Sequence, residues 1–273
     1  MKVELHCHSI YSKGKSIRWE ATSKPEEIIK KAKNIGLDAI ALTDHNTTKG
    51  WARASAEAKR AEILFIPGEE IDTKEGHIIA LDINEFIKPN MTLQETLDEI
   101  KAQGGISVAP HPFDVRREGI GRWIKHVDVV EGMNAMCLDR ISNWWACTQA
   151  KKIGKPIVCG SDAHTSDMLG SARNIITAFD YEGIIRAIKY GAVYIDFEYI
   201  HPSHIVRWTR ERFARSYFQL IQRMAGYSRP KRIIASLLLK RFIMSDSKVW
   251  YVLARIGEGI SICYSGLRFA SKR

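Results

Sequence analysis

His6 and His8 sit two residues apart near the start of a chain of 273 residues. A strand has a side-chain period of two, so both imidazoles project from one face at neighbouring levels while Cys7 points away. Two such rings can grip one divalent ion, although a His-x-His pair alone is common and unspecific. Further polar sets follow at intervals: Thr43-Asp44-His45-Asn46, Pro67-Gly68-Glu69-Glu70, Gly76-His77, Ala109-Pro110-His111-Pro112, Val130-Glu131 and Gly160-Ser161-Asp162-Ala163-His164. Histidine and carboxylate without thiolate suit Zn, Mn or Fe ions rather than calcium or a Cys-rich structural zinc. Water bound to such an ion has its pKa lowered towards about 7 and becomes a nucleophile near neutral pH.

Nearly every set ends a short apolar run, and the elements between the runs explain how residues 150 apart could meet. Ser23-Lys24-Pro25-Glu26-Glu27 carries helix-start signals, with Ser23 as the expected N-cap, and Gly36 ends that helix. Strands are expected at 38–43, 63–66, 77–81, 106–109, 127–130, 156–159 and 192–197. Helices are expected at about 50–62, 92–103, 138–153 and 181–190. Strand–helix alternation implies parallel strands with right-handed crossovers, and a closed barrel would gather the strand-end residues in one mouth.

With these motifs in order, residues 1–200 resemble the PHP family of metal-dependent phosphoesterases, whose relatives include histidinol-phosphate phosphatases, nucleotide and oligonucleotide hydrolases and polymerase-associated domains. The resemblance implies an α/β fold, a distorted seven-stranded barrel with two to three divalent transition-metal ions. It implies that His6, His8, Glu70 and Asp162 hold one ion, that Glu70 bridges to a second held by His77 and His111, and that His45 and His164 hold a third. Glu70 rather than Glu69 matches the family's Gly-x-Glu. Glu131, as a further ligand, and Asn134, near the substrate, match another motif. Asp162 or His164 would assist proton transfer.

The chain departs from the pattern at Ser12-Lys13-Gly14, where many relatives read Ser-Asp-Gly. An ammonium group cannot ligate a metal, so the third site is expected to be weak or empty, with Lys13 free to bind a substrate phosphate. Arg116 and Arg117 are expected to present guanidinium forks to phosphate. His126 and His201 match no motif and read as surface residues. The implied activity is hydrolysis of a phosphate ester, whether a small phosphomonoester, a nucleotide or a short oligonucleotide. The alternative is a non-catalytic scaffold or a module that binds nucleic acid or membrane.

Composition places the rest. Five scattered cysteines do not make a disulfide framework, and no apolar run reaches the length of a membrane span. Neither a signal nor a transit peptide is apparent, so the cytoplasm is expected. The net charge of +10 is uneven: residues 201–273 hold 15 Lys+Arg against 3 Asp+Glu, leaving 26 against 28 in residues 1–200. Residues 201–273 read as a basic extension of amphipathic helices, at 205–224 and beyond Pro230. They could pack on the barrel, or bind nucleic acid or an anionic membrane surface.

Overall fold

The computed structural model describes residues 1–14 and 17–270. Among the described residues, nine strands form one sheet: β1 (Lys2–Glu4), β2 (Ala39–Leu42), β3 (Leu64–Asp72), β4 (His77–Leu81), β5 (Ile106–Ala109), β6 (Val129–Asn134), β7 (Ile157–Gly160), β8 (Ala172–Ile176) and β9 (Val193–Phe197). Their order is β7-β6-β5-β4-β3-β2-β1-β8-β9. The expected count of seven is therefore corrected to nine, in a nearly closed, barrel-like sheet.

The expected parallel arrangement also needs correction. Parallel pairs join β1 to β2, β2 to β3, β5 to β6 and β6 to β7, but β4 runs antiparallel to both β3 and β5. The cause is the turn between β3 and β4, where Thr73 N donates to Gly76 O at 3.0 Å. A turn this short permits only a hairpin, since a parallel return needs a crossover of a dozen residues or more. The added hairpin of β8 and β9 is antiparallel as well, and β8 lies antiparallel to β1.

β7 and β1 come together to close the barrel. At the mouth, Asp162 N donates to His6 O and His8 N to Ala163 O, both at 2.8 Å. Farther down, β8 intervenes and the buried Asn174 side chain bridges the seam. Its Nδ2 donates to Cys159 O at 2.7 Å and Val3 O at 3.2 Å, and its Oδ1 accepts from Cys159 N at 2.9 Å.

Strand alternation places the polar residues above an apolar plug. Val3, Ala39, Ala41, Ile66, Ile79, Leu81, Val108, Val129 and Val158 form one buried cluster, floored by Ile184 and Ile188 of α5 (Tyr181–Tyr190). By the two-residue period, Ile66 shares its face with Glu70, Ile79 with His77, and Val129 with Glu131. The opposite faces pack on helices. Ile40 and Leu42 meet Ile28, Ile29 and Ala32 of α1 (Pro25–Asn34), while Ile78 and Ala80 lie in a second cluster with Leu93 and Ile100 of α3 (Leu93–Ala102). α2 (Trp51–Ala61) and α4 (Ile141–Lys152) complete the outer layer. Lys24, not Ser23, is the N-cap of α1, because Ser23 Oγ instead accepts from Ser166 N at 2.9 Å.

The extension is helical: α6 (Pro202–Arg215), α7 (Tyr217–Met224), α8 (Arg229–Met244) and α9 (Lys248–Ala270). Ser216 interrupts the helical pattern expected across 205–224. Parts of the extension pack on the barrel. Trp208 and Phe269 are buried, Phe269 stacks on Trp145 of α4 at 5.1 Å, and Arg268 donates to the carbonyls of Phe113 and Asp114.

Candidate metal centre

The Glu70 carboxylate lies at the middle of the mouth and is fully buried. Its Oε1 lies 3.1 Å from His77 Nδ1 and 3.2 Å from His111 Nε2. Its Oε2 lies 3.2 Å from His6 Nε2, 3.3 Å from His8 Nε2 and 3.2 Å from His45 Nε2. One carboxylate thus divides five imidazoles into two groups. Asp162 Oδ1 stands 3.2 Å from His8 Nε2 and 3.5 Å from both His6 Nε2 and His164 Nδ1.

Other residues hold these donors rather than joining them. Glu131 Oε1 pairs with His6 Nδ1 at 2.8 Å, while Oε2 accepts from His111 N and from Asn134 Nδ2. Glu131 therefore stands behind His6, turning Nε2 towards Glu70, rather than among the facing donors. A carboxylate on the far nitrogen also fixes the tautomer of a ligating histidine. Gly160 makes room for the pair, since a Cβ there would collide with Glu131 Oε1 and His6 Cβ. Asn134 also donates to Asp162 Oδ2 at 3.3 Å, which makes it a buried support for the two acids.

The two carboxylates of the centre favour positive charge on the donors around them. Burial alone would raise Glu70 and Asp162, but the surrounding imidazoles outweigh it, and both carboxyls fall well below the usual range. Burial would likewise lower His8 and His111, yet hydrogen bonds to Asp162 and Glu70 push His8 up to about 9, and the bond to Glu70 does the same for His111. His164 goes the other way, down to about 4, through burial and then the charge of His8. It is thus neutral near pH 7. With Nδ1 donating to Asp162 O at 2.8 Å, its Nε2 offers a lone pair.

This donor set fits divalent ions. The donor atoms of four triads each lie within 4.8 Å of one another: His6, His8 and Glu70; His6, His111 and Asp162; His8, Asp162 and His164; His45, Glu70 and His77. All are buried, all offer nitrogen or oxygen, and no cysteine takes part.

A cavity of about 140 Å³ opens over the centre, lined by Lys13, Glu20, His45, Asp72, His77, His111, Arg116, Glu118, Asp162, His164 and Arg212. Lys13 lines it with Nζ donating to Asn46 O at 2.8 Å. Arg116 is there too, held by Asp114 and Glu118. Arg117 is not: its NH2 donates to Tyr264 of α9, outside the mouth. His126 is exposed, and His201 caps α6 by accepting from Ser203 N.

Four lining residues escaped the sequence reading. Asp72, whose Oδ1 lies 3.2 Å from His77 Nε2, shares a strand face with Glu70, so the period of two carried a signal for it. Glu20 Oε2 stands 3.9 Å from His45 Nε2 and 3.4 Å from Ser12 Oγ. It brings an acid to the side of the mouth where Lys13 replaced one, and nothing local in the sequence marks it. Glu118 and Arg212 owe their positions to a loop and to helix docking.

A family model described as PHP domain matches residues 4–229. Two uncharacterised proteins of Methanocaldococcus jannaschii are similar to this chain. One is 37% identical over 150 residues, covering 52% of this chain and 87% of the relative; the other is 35% identical over 185 residues, covering 63% and 69%. Among solved structures, a two-domain protein of Bacteroides vulgatus containing a predicted PHP-like metal-dependent phosphoesterase superposes with a TM-score of 0.60. It is 19% identical, over 72% of this chain and 65% of that one, a likeness of fold.

Proposed function

Because the chain belongs to the PHP domain family, we propose that it hydrolyses a phosphate ester, either a small phosphomonoester, a nucleotide or a short oligonucleotide. The observation that carries this reading is the Glu70 carboxylate, whose two oxygens face separate groups of histidines as a bridging ligand requires. Divalent Mn, Zn or Fe ions bound there supply Lewis acidity to the phosphoryl oxygens and lower the pKa of water. His6, His8, Glu70 and Asp162 would hold one ion, Glu70, His77 and His111 a second, and His45 and His164 a third with the acid of Glu20 beside them. Asp162 orients His164 through its carbonyl, which leaves Nε2 of His164 to ligate the third ion or, where that ion is absent, to take up or deliver a proton. Arg116 and Lys13 attract the ester's phosphate at the rim.

The test is a substrate panel with added Mn, spanning histidinol phosphate, mononucleotides, a 3′,5′-bisphosphate and short RNA and DNA, alongside elemental analysis of protein kept from chelators. Metal-dependent release of phosphate or nucleotide from at least one class is expected, with up to three ions per chain. Protein that carries metal and turns over nothing would instead be the non-catalytic scaffold.

A second reading concerns the partner of the extension, and we propose an anionic lipid surface. Ile233, Ile234, Leu237 and Leu238 of α8 are all at least half exposed, beside Lys231, Arg232, Lys240 and Arg241, which make no ion pair among the described residues. Exposed aliphatic side chains among cations suit an interfacial helix. Nucleic-acid surfaces instead rely on aromatic rings among the cations; here one cation, Lys231, lies over a ring, that of Tyr227, and the exposed side chains beside the others are aliphatic. No helix among the described residues is long and apolar enough to cross a membrane.

A further inference from the structure

We infer that Arg212, carried into the mouth by α6, forms with Arg116 a two-guanidinium subsite for a phosphate group, so that the C-terminal extension completes the substrate pocket. The inference rests on the phosphoesterase reading for the identity of the anion. Its geometry does not depend on that reading.

Arg212 lines the same cavity as Arg116 and His164. Its guanidinium carbon lies 4.6 Å from the centre of the Trp208 ring, one helical turn earlier. Trp208 is itself fixed, donating from Nε1 to Glu20 O at 2.7 Å with its ring 4.8 Å from that of His164. The guanidinium is thereby aimed from α6 and has little freedom to turn away. Its Nε is buried without a hydrogen-bond partner among the described residues. Arg215 on the same helix, by contrast, pairs with Glu211.

A buried N–H donor without a partner is costly, and an anion seated against it would remove that cost. Arg116 presents the complementary half. Its contacts to Asp114 and Glu118 both run through Nε, at 3.1 and 3.0 Å, so no ion pair among the described residues occupies its terminal nitrogens. Burial holds the proton affinity of Arg212 below the ordinary arginine value, with Glu20 opposing and the charge of Arg116 adding to the effect. The two guanidinium groups line one cavity at the edge of a centre suited to phosphoryl chemistry, where a multiply charged oxyanion between them would satisfy both. The planar fork matches the oxygens of phosphate bidentately.

The experiment titrates inorganic phosphate into full-length protein as purified, with metal content matched across variants, at low salt, comparing wild type with Arg212→Gln, Arg212→Lys and Arg215→Gln by calorimetry. Wild type and Arg215→Gln are expected to bind alike. Arg212→Gln should weaken binding at least ten-fold, and Arg212→Lys, which keeps the charge without the fork, at least three-fold. Phosphate affinity unchanged in a folded Arg212→Gln protein overturns the inference and leaves Arg212 a structural clamp on Trp208. Should that variant fail to fold, unchanged affinity in Arg212→Lys does the same. Because no turnover is read, a protein that hydrolyses nothing can still pass, so the two readings fail separately. With an active substrate class, Arg212→Gln should raise KM while metal content stays constant. A rise for monophosphate esters places the scissile phosphate in the subsite, and a rise only for esters bearing a second phosphate places that group there. An unchanged KM for both contradicts the inference.

Discussion

Glu69 and Glu70 show how strand alternation separates two identical side chains. Glu70 faces the histidines, whereas Glu69 Oε2 accepts from Ile87 N at 2.9 Å on the other side of the sheet. Burial pushes the Glu69 carboxyl up to about 8, against the pull of that hydrogen bond. The folded protein therefore keeps a proton that the unfolded chain releases near pH 4.5. Stability should fall as pH rises from about 4.5 to about 8 and stay low above it, by about 1.4 kcal/mol per unit of difference. Glu69→Gln should remove that slope, raising Tm at pH 8 by an amount equivalent to a few kcal/mol while metal content stays at the wild-type level; Glu70→Gln should lose the metal. Thermal melts across pH 5–9 with elemental analysis check both, and metal lost from Glu69→Gln would reverse the assignment. The choice between these acids was expected from the resemblance to the family's Gly-x-Glu, and the alternation of side chains along β3 agrees with it. Glu20 and Arg212 were not legible, since a loop path and the docking of a helix decide what they face.

At the scale of elements, the strands that deliver ligands were readable because apolar runs end in polar residues, and the failures have local causes. β3 continues through Pro67 to Asp72, so the two acids lie within a strand rather than beyond it. β8 reads Ala-Arg-Asn-Ile-Ile, and its buried Asn174 disguises it as a loop. Within the helical extension expected over 201–273, α9 was not legible as a separate helix because Gly257, Gly259 and Gly266 interrupt its apolar positions, glycine being among the poorest helix formers. Asn174 also has a measurable role. Its amide supplies three hydrogen bonds across the seam that strand pairing leaves open, and removing it strands the buried Cys159 N–H and two carbonyls. Asn174→Ala should cost about 2–3 kcal/mol, at roughly 1 kcal/mol per hydrogen bond, without changing metal content. Denaturant melts give the value, and a loss under about 0.5 kcal/mol would mean that water replaces the amide at no cost.

Across the whole molecule, charge and apolar surface separate. Residues 1–200 are close to neutral, and all three acids of the extension are already engaged: Glu211 with Arg215, Asp246 with Arg210, and Glu258 with Arg140 and Arg255. The cations of α8 are left uncompensated beside exposed aliphatic residues. On α9, Val249, Leu253, Ile256, Ile260 and Leu267 recur at helical spacing and are each at least half exposed. A second copy meeting these surfaces face to face would oppose cation to cation, because a two-fold interface pairs each patch with itself. An anionic bilayer neutralises the cations and takes up the aliphatic side chains. Each basic residue near such a surface contributes about 1 kcal/mol, so replacing Lys231, Arg232, Lys240 and Arg241 together by Gln should weaken binding to phosphatidylserine vesicles by roughly 10³-fold. Leu237→Ser with Leu238→Ser should weaken it at every salt concentration, because apolar burial is not screened. Sedimentation with vesicles across a salt series reads both effects, with neutral phosphatidylcholine as the control. Equal binding to neutral vesicles would remove the electrostatic argument. Binding to labelled RNA that collapses with salt, with no vesicle binding, would make the extension a nucleic-acid surface, and a mass that doubles with concentration would make it an interface between copies.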